Sequence, residues 1–197
     1  MLNITLNKYI TYSNFTMSKE FSIIMACTTE GGIGYKNDIP WHIPADMKHF
    51  KAITTLSPKC KINAVVMGKN TWLSLPEQFR PLKDRLNIVI SSTLTITECH
   101  KDVVILPSLH DAIEFLVKHE KVHNIFVIGG AKLYNDALGH PMFKSAYVTH
   151  VLQSDVDLQC DTYVNLFDLY SNYVCVNEGC VAKYNNIKYM FSQYVKK

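Results

Sequence analysis

The sequence predicts an α/β fold, in which a central sheet of mostly parallel strands has helices packed on its faces. Short apolar runs alternate with helical patterns from Phe21 onward. The chain has 197 residues, of which 48% are hydrophobic, which suits one well-filled core. We find no repeat and no proline-rich or charged linker, so we expect one domain over residues 20–197.

The elements follow in order along the chain. Five apolar runs predict strands that cross the sheet once and are buried on both faces, at 21–27, 62–67, 86–91, 103–106 and 124–128. Helical spacing predicts four helices, at 44–55, around 70–75, at 109–118 and at 131–138. Ser108 and Asp111 form a capping box at the start of the third helix, and Gly139 ends the fourth.

Beyond Lys144 the pattern changes to longer β-type stretches, at 146–152, 173–176 and 188–195. They predict an antiparallel edge added to the sheet. At the other end, residues 1–19 are rich in Asn, Thr, Ser and Tyr, and we expect them to be a flexible extension.

Charge and cysteine content exclude several classes of protein. The net charge of +3 is too small and too dispersed for a nucleic-acid partner. The 6 cysteines form no C-x-x-C pair, which favours buried reduced thiols. No continuous apolar run marks a signal peptide or membrane anchor near the start, so we expect a cytoplasmic address, although the composition leaves mitochondrial import open.

Three predicted strands end in small, hydroxyl or basic residues, in the segments 68–71, 91–92 and 129–132. Open α/β sheets bind ligands at the carboxyl ends of their strands. Two of these segments begin helices, whose free N–H groups attract phosphate, so a dinucleotide diphosphate fits. Because G-x-G-x-x-G is absent, the glycines could instead form tight turns, but three coincident strand ends favour a nucleotide.

Asp46 is an acidic residue on a predicted helix face that is otherwise apolar. An acid in the first turn of a helix after Pro44 has a structural explanation, since it complements the helix dipole. The spacing also places Asp46 on the same helix face as Phe50 and Ile53, with Met47 beside it. A buried carboxylate needs a partner, either a protein donor or a ligand with paired N–H groups.

Two further segments each allow two interpretations. Residues 28–41 form a long glycine-rich loop that ends in Trp41, which suits a lid or a surface loop whose tryptophan packs onto the core. His119 and His123 match H-E-x-x-H, but the segment runs straight into a strand, so we expect no zinc site and no metal.

Several separated motifs, in matching order and spacing, strongly resemble dihydrofolate reductase: Gly32-Ile33-Gly34, Ile39-Pro40-Trp41, Pro44-Ala45-Asp46-Met47-Lys48-His49-Phe50, Val66-Met67-Gly68-Lys69-Asn70-Thr71-Trp72 and Ile128-Gly129-Gly130-Ala131-Lys132-Leu133-Tyr134. The resemblance covers the chain from about Phe21 to the last strand. It implies an eight-stranded, mostly parallel sheet with an antiparallel C-terminal edge and about four helices. It also implies reduction of dihydrofolate to tetrahydrofolate, which supplies one-carbon and thymidylate metabolism.

The resemblance assigns residues to the substrate. Asp46 accepts paired hydrogen bonds from the pterin with support from Thr149, and Trp41 helps hold the water that delivers the proton. Arg85 grips the carboxylate of the glutamate tail, although Asp84 stands where glycine often precedes this arginine. The remaining substrate residues are apolar walls, backbone carbonyls and a tyrosine: Ile24, Met47, Phe50, Leu75, Leu82, Ile128 and Tyr134.

For the cofactor, the resemblance implies NADPH, because Lys69, Ser92 and Lys132 fall where the family meets the adenosine 2'-phosphate. Gly129, Gly130, Ala131 and Thr71 match the diphosphate cradle. The cofactor site is completed by Ala26, Ile33, Gly34, Gly68, Asn70, Ser91 and Leu133. We expect a monomer that binds a small-molecule substrate and antifolate-type inhibitors.

Three alternatives stay open. A same-fold NADPH reductase of another heterocycle, such as the pyrimidine reductase of riboflavin synthesis, would share the phosphate cradle, but Asp46 with Trp41 and Phe50 argues against it. A catalytically silent nucleotide-binding module would bind cofactor without turnover. A zinc peptidase would need metal at His119 and His123.

Overall fold

The computed structural model describes residues 19–94 and 102–197. The predicted N-terminal extension therefore lies outside the described residues, except for Lys19. The Nζ of Lys19 donates to the carbonyl oxygen of His119 at 2.7 Å. In the described part of the chain, no helix is both long and apolar enough to cross a membrane.

The structure confirms the four predicted helices and the eight predicted strands, and it adds short elements. The strands are β1 (Phe21–Thr28), β2 (Gly32–Gly34), β3 (Ile62–Gly68), β4 (Arg85–Ile90), β5 (Val103–Leu106), β6 (Val122–Val127), β7 (Phe143–Val151), β8 (Thr162–Tyr163), β9 (Tyr173–Glu178), β10 (Ala182–Tyr184) and β11 (Ile187–Lys196). The helices are α1 (Pro44–Thr55), α2 (Lys69–Ser74), α3 (Leu109–Lys118), α4 (Ala131–Leu138), α5 (Asp155–Leu158) and α6 (Phe167–Asn172). A short 3-10 helix covers Glu77–Phe79.

The main sheet has the order β10-β11-β7-β1-β6-β3-β4-β5, and β9 also pairs with β11. β9 pairs with residues 192–196 of β11, whereas β10 pairs with residues 187–189. β9 and β10 therefore lie one after the other along the same edge of β11. The nine strands thus occupy eight positions across the sheet, which agrees with the predicted eight-stranded sheet.

The antiparallel edge begins at β11. β7 still runs parallel to β1, because the connection from β6 through α4 gives the chain room to cross over before it enters β7. β11 and the short strands paired with it are antiparallel, which confirms the predicted edge.

Helices cover both faces of the sheet. α3 and α4 bury Leu116 and Leu138 against one face, and α1 directs Phe50 and Ile53 towards the other. The prediction that strand 103–106 is buried on both faces is wrong, because β5 lies at the edge of the sheet and its residues are only half-buried. The α1 face lies beside the carboxyl ends of the strands, where the candidate site forms.

Asn87 in β4 fixes the segment that leads into the candidate site. Its Nδ2 donates to the carbonyl oxygens of Leu82 at 2.9 Å and Arg85 at 2.8 Å. Its Oδ1 accepts from the Leu82 N–H at 3.0 Å, and the side chain is fully buried. One amide thus satisfies three backbone groups.

We expect Asn87→Ala to lower the free energy of unfolding by about 3 kcal/mol, because buried backbone groups lose their partners. Urea unfolding followed by circular dichroism measures this loss. The exposed Asn172 at the end of α6 provides the control, and its change to Ala should alter stability by less than about 0.5 kcal/mol. Equal unfolding midpoints for the two variants would show that the Asn87 bonds contribute nothing.

Candidate active site

Asp46 lies in the first turn of α1, whose helical conformation starts at Pro44. The Thr149 Oγ1 donates to the Asp46 Oδ1 at 2.6 Å. Thr149 is 2% exposed on β7 and pairs in register with Ala26 of β1. The structure thus brings the acid and its predicted supporting hydroxyl together at the ends of two central strands.

Burial raises the pKa of Asp46 above its ordinary value, and this is the largest influence on the group. The Thr149 hydrogen bond and the charge of His49 oppose the shift, since both lower the pKa. The Thr149 bond occupies one carboxylate oxygen. A half-buried carboxylate of this kind suits a ligand with paired N–H donors, which would replace the lost solvation.

Trp41 folds back onto the core, as the surface-loop alternative predicted. It is 7% exposed and packs with Ile43, Val151 and Tyr189. Its Nε1 is buried and has no hydrogen-bond partner within the described ranges. An unpartnered buried donor is unusual in a native protein, and it can bind a water molecule or a ligand at this position.

Five of the predicted substrate residues share one apolar cluster on the α1 face of the sheet: Ile24, Phe50, Leu75, Leu82 and Ile128. Met47 is not part of this cluster, and 52% of its surface is exposed. A helix turns by about 100° per residue, which rotates position 47 away from the face shared by Phe50 and Ile53.

Arg85 is 5% exposed and is held by neighbours on two sides. Its Nη1 donates to the Thr54 Oγ1 at 2.9 Å, and its Nε donates to the Lys83 carbonyl oxygen at 3.0 Å. The guanidinium carbon lies 5.7 Å from the centre of the Phe50 ring. Burial lowers the pKa of Arg85, and the charge of Asp84 opposes this shift.

The backbone of Asp84 has a conformation that would favour a glycine before Arg85. Its φ angle of 62° lies in the left-handed region, which glycine adopts at no steric cost. Aspartate tolerates this conformation better than most residues, so the chain still delivers Arg85 to the site.

Tyr134 is buried, and its Oη donates to the carbonyl oxygen of Ile24 at 2.9 Å. This bond uses one of the two acceptor positions of a carbonyl that was assigned to the substrate. Gly129, with φ of +122°, lies against the same ring, because a Cβ built there would be 3.3 Å from the Tyr134 ring atoms. Tyr134 therefore contacts both the Ile24 carbonyl and the glycine pair.

The two glycine-containing segments meet at the neighbouring ends of β3 and β6. The Gly68 N–H donates to the Gly129 carbonyl oxygen at 2.8 Å. A Cβ on Gly130 would lie 3.3 Å from the Thr71 Oγ1. α2 and α4 begin directly after Gly68 and Gly130, so the free N–H groups of two helices point into one region. This arrangement can hold a diphosphate.

The remaining cofactor candidates differ in whether their side chains are buried or exposed. The Leu133 side chain is buried in the core beneath α4, so only its backbone could meet a ligand. Asn70 and Lys132 are exposed in α2 and α4. Ala26 packs against the cluster around Trp41, and Ile33 packs against the large core cluster.

The third strand end adds a residue that sequence reasoning missed. The Lys69 Nζ donates to the Thr93 Oγ1 at 3.0 Å, and the Ser91 Oγ accepts from the N–H of Thr93 at 3.1 Å. Ser92 is exposed between them. The only signal in the sequence was a third hydroxyl residue directly after the two serines.

The glycine-rich loop is fixed to a distant segment through β2, which pairs with β8. The Asp161 N–H donates to the Gly34 carbonyl oxygen at 2.9 Å, and the Asp161 Oδ2 accepts from the Lys36 N–H at 2.9 Å. A Cβ on Gly32 would lie 2.8 Å from the Cys160 Sγ, so this contact leaves no room for a side chain.

The H-E-x-x-H segment does not form one helix. α3 ends at Lys118 and β6 begins at Val122, so His119 lies in the turn after α3 and His123 lies in β6. The described residues contain no group of three or more side chains placed to hold a metal ion.

Comparison with known proteins identifies the family. Residues 20–196 match the family model described as dihydrofolate reductase. The dihydrofolate reductase of Schistosoma mansoni is 45% identical over 146 residues, which cover 72% of this chain and 76% of the relative. The Drosophila melanogaster dihydrofolate reductase is 39% identical over 144 residues, covering 73% of this chain and 78% of the relative.

A fused relative matches over more of the chain. The bifunctional dihydrofolate reductase-thymidylate synthase of Daucus carota is 36% identical over 190 residues, covering 90% of this chain and 34% of that protein. The residues that match the family model include the helix of Asp46 and both glycine-containing strand ends. The chain belongs to the dihydrofolate reductase family.

Proposed function

We propose that this reductase uses NADPH to reduce dihydrofolate, with Asp46 as the anchor of the pterin ring. The half-buried Asp46 carboxylate, bonded through one oxygen to Thr149, supports this proposal most directly. A pterin offers an amino group beside a ring N–H, and this pair matches the two oxygens of a carboxylate. The ionised acid also favours a protonated pterin, which is the better hydride acceptor.

The proton that completes the reduction goes to the pterin nitrogen next to the carbon that receives hydride. We assign its delivery to water rather than to Asp46, because the carboxylate is engaged with the other side of the ring. The unpartnered Nε1 of Trp41 supports this assignment, since a buried donor can hold a water molecule by its oxygen. Trp41 would thus orient the water without titrating itself.

Arg85 is the residue we propose for the carboxylate of the glutamate tail. Thr54 and Lys83 bind two of its nitrogen atoms, which leaves other N–H groups of the guanidinium for a ligand. Phe50, Leu75 and Leu82 provide an apolar wall on the α1 face of the sheet, and the Phe50 ring lies next to the Arg85 guanidinium. This side of the site would therefore select substrates that have both a flat ring and an acidic tail.

The cofactor assignment to NADPH rests on the strand ends. Bound NADPH would supply the hydride. The glycine pair and the starts of α2 and α4 suit its diphosphate, and Lys69 with Thr93 suits its 2'-phosphate. Lys132 at the start of α4 adds a second positive charge. A monomeric state and a cytoplasmic location stay predictions.

We expect Lys69→Gln to weaken NADPH binding about tenfold and to leave NADH binding unchanged, because only NADPH has the 2'-phosphate. Titration of the nicotinamide fluorescence measures both affinities. Lys59→Gln, which removes an exposed lysine from the segment after α1, is the matched control. Equal weakening of both cofactors would place Lys69 away from the 2'-phosphate.

Turnover is tested by mixing the purified protein with NADPH and dihydrofolate and following the loss of nicotinamide absorbance. We expect rapid oxidation of NADPH with dihydrofolate and none with the pyrimidine substrate of riboflavin synthesis. Cofactor binding without any turnover would contradict the proposal and favour a silent nucleotide-binding module.

A further inference from the structure

A small cavity lies beside α1, on the part of the sheet formed by β7, β11 and β9. Its volume is about 100 Å³, and its walls include His49 and Ile53 from α1, Tyr147 from β7, and Phe191 and Ser192 from β11. Space of this size suits roughly three water molecules at about 30 Å³ each. The catalytic assignments made above do not use this cavity.

The side chain of Phe191, not that of Ser192, faces the cavity from β11. Successive residues of a strand face opposite sides of a sheet, and Phe191 is the one that contacts His49. Ser192 pairs in register with Val148, which packs in the core on the other face of the sheet. Ser192 therefore contributes backbone to the cavity wall, and its hydroxyl lies on the far side of the sheet.

His49 forms part of the cavity wall and is held in place. Its ring stacks on Phe191 with the ring centres 4.1 Å apart and the planes at 29°. His49 follows Asp46 by three positions in α1, and side chains with this spacing are neighbours on a helix surface. One rigid imidazole therefore adjoins both the cavity and the carboxylate of the candidate active site.

We propose that His49 is a positioning residue for Asp46, in which the imidazolium that forms in acid keeps the neighbouring carboxylate ionised. The proposal rests on the function proposed for Asp46. It extends that function by adding a second titrating group to the substrate site. His49 itself touches neither the substrate nor the reacting atoms in this account.

The pKa shifts of His49 and Asp46 have the directions that this proposal requires. Burial lowers the pKa of His49, and the charge of Asp46 opposes this shift. Burial raises the pKa of Asp46, and the charge of His49 opposes that shift. The two shifts due to burial bring the pKa values of Asp46 and His49 closer together. The charged form of each group also stabilises the charged form of the other. Above the pKa of His49 the imidazole is neutral, so the effect is confined to acid.

Other groups that face His49 do not compete for this role. Asp46 is the charged group that acts on the imidazole. β7 contributes the phenol of Tyr147, β11 contributes Phe191 and Gln193, and β9 contributes Asn177. These side chains have no charge in the acidic range where the imidazolium forms.

The test titrates the imidazole of His49 by nuclear magnetic resonance in the ligand-free protein. The signal is assigned by its loss in His49→Gln. We expect Asp46→Asn to move the His49 titration midpoint to lower pH, because the favourable negative charge is removed. Asp168→Asn, which changes an exposed carboxylate in α6, should leave the midpoint unchanged. Equal midpoints in the wild type and Asp46→Asn would overturn the proposal.

The reverse experiment replaces His49 with phenylalanine, which keeps an aromatic ring next to Phe191 but cannot titrate. In His49→Phe the carboxyl carbon of Asp46, followed with labelled aspartate, should titrate at higher pH than in the wild type. Affinity for a protonated diaminopyrimidine should fall by roughly threefold in acid and stay unchanged above neutral pH. A purely structural role would weaken binding equally at every pH and leave the Asp46 titration in place.

These outcomes are independent of turnover. Both titrations are measured without substrate or cofactor, so a protein that failed to reduce dihydrofolate could still show the coupling. Conversely, an active enzyme whose His49 and Asp46 titrate independently would refute the positioning role alone. Thermal unfolding of His49→Phe and His49→Gln shows which variant is folded, and either one is sufficient for the titration of Asp46.

Discussion

We expect Asp46→Asn to reduce the rate of hydride transfer at neutral pH by roughly two to four orders of magnitude, with little change in NADPH affinity. Asparagine has one acceptor oxygen where aspartate has two, so it cannot accept both N–H groups of the pterin. It also has no negative charge to favour the protonated pterin. A single-turnover measurement that starts from the preformed complex of enzyme and NADPH reports the rate of hydride transfer directly.

The pH dependence of the rate distinguishes an electrostatic role of Asp46 from a general disruption of the active site by the substitution. In Asp46→Asn the rate should rise as the pH falls, because more of the substrate arrives already protonated. In the wild type the rate should fall in acid as Asp46 is protonated, and burial places this fall at higher pH than for an exposed aspartate. An equal loss at every pH would contradict the electrostatic role of Asp46.

Stability provides the control for this variant. A carboxyl group whose pKa is raised in the folded state stabilises the fold below its unfolded pKa, and this contribution is lost as the pH rises through the folded pKa. The ionised Asp46 is therefore a cost to stability at neutral pH. Asp46→Asn should unfold at a temperature no lower than the wild type, so a fall in rate would not reflect unfolding.

The second large effect is expected at Arg85. Arg85→Leu should weaken dihydrofolate binding by about 100-fold, because a buried guanidinium that binds a carboxylate in paired geometry is lost. A pterin without the glutamate tail should bind the variant and the wild type equally well. Fluorescence quenching with the two ligands separates the contribution of the tail from that of the ring.

Arg80→Leu is the matched control for Arg85. Arg80 precedes the same strand, but its partners are the exposed Glu77 at 3.6 Å and the Trp72 ring at 5.9 Å. Removing it should change affinity for dihydrofolate by less than about threefold, since exposed ion pairs contribute little. If both variants lost the same affinity, or if the tail-free pterin were equally weakened, Arg85 would not be the tail-binding residue.

Local patterns predicted much of this structure because local interactions determine it. Proline at the first helical position and the apolar spacing around Phe50 gave the bounds of α1 and the position of Asp46. The Ser108 hydroxyl accepts from the Asp111 N–H at 3.2 Å, as the capping pattern required. The apolar runs likewise located the central strands, because each is long enough to give a clear signal.

Contacts between distant segments were not predictable in the same way. β2 and β8 have three and two residues, and their pairing depends on the fold that brings Gly34 to Thr162. The bond from Tyr134 to the Ile24 carbonyl joins residues 110 positions apart. The hydroxyl of Thr93 became a candidate only when the structure placed it next to Lys69.

The central claim is that Asp46 anchors the pterin ring. It is tested most directly by a crystal structure of the protein with folate and the oxidised cofactor. We expect both Asp46 oxygens within about 3 Å of the pterin amino group and ring N–H, with Thr149 still bonded to the carboxylate. A pterin bound with Asp46 facing solvent, or with a different side chain on the paired N–H groups, would contradict the claim.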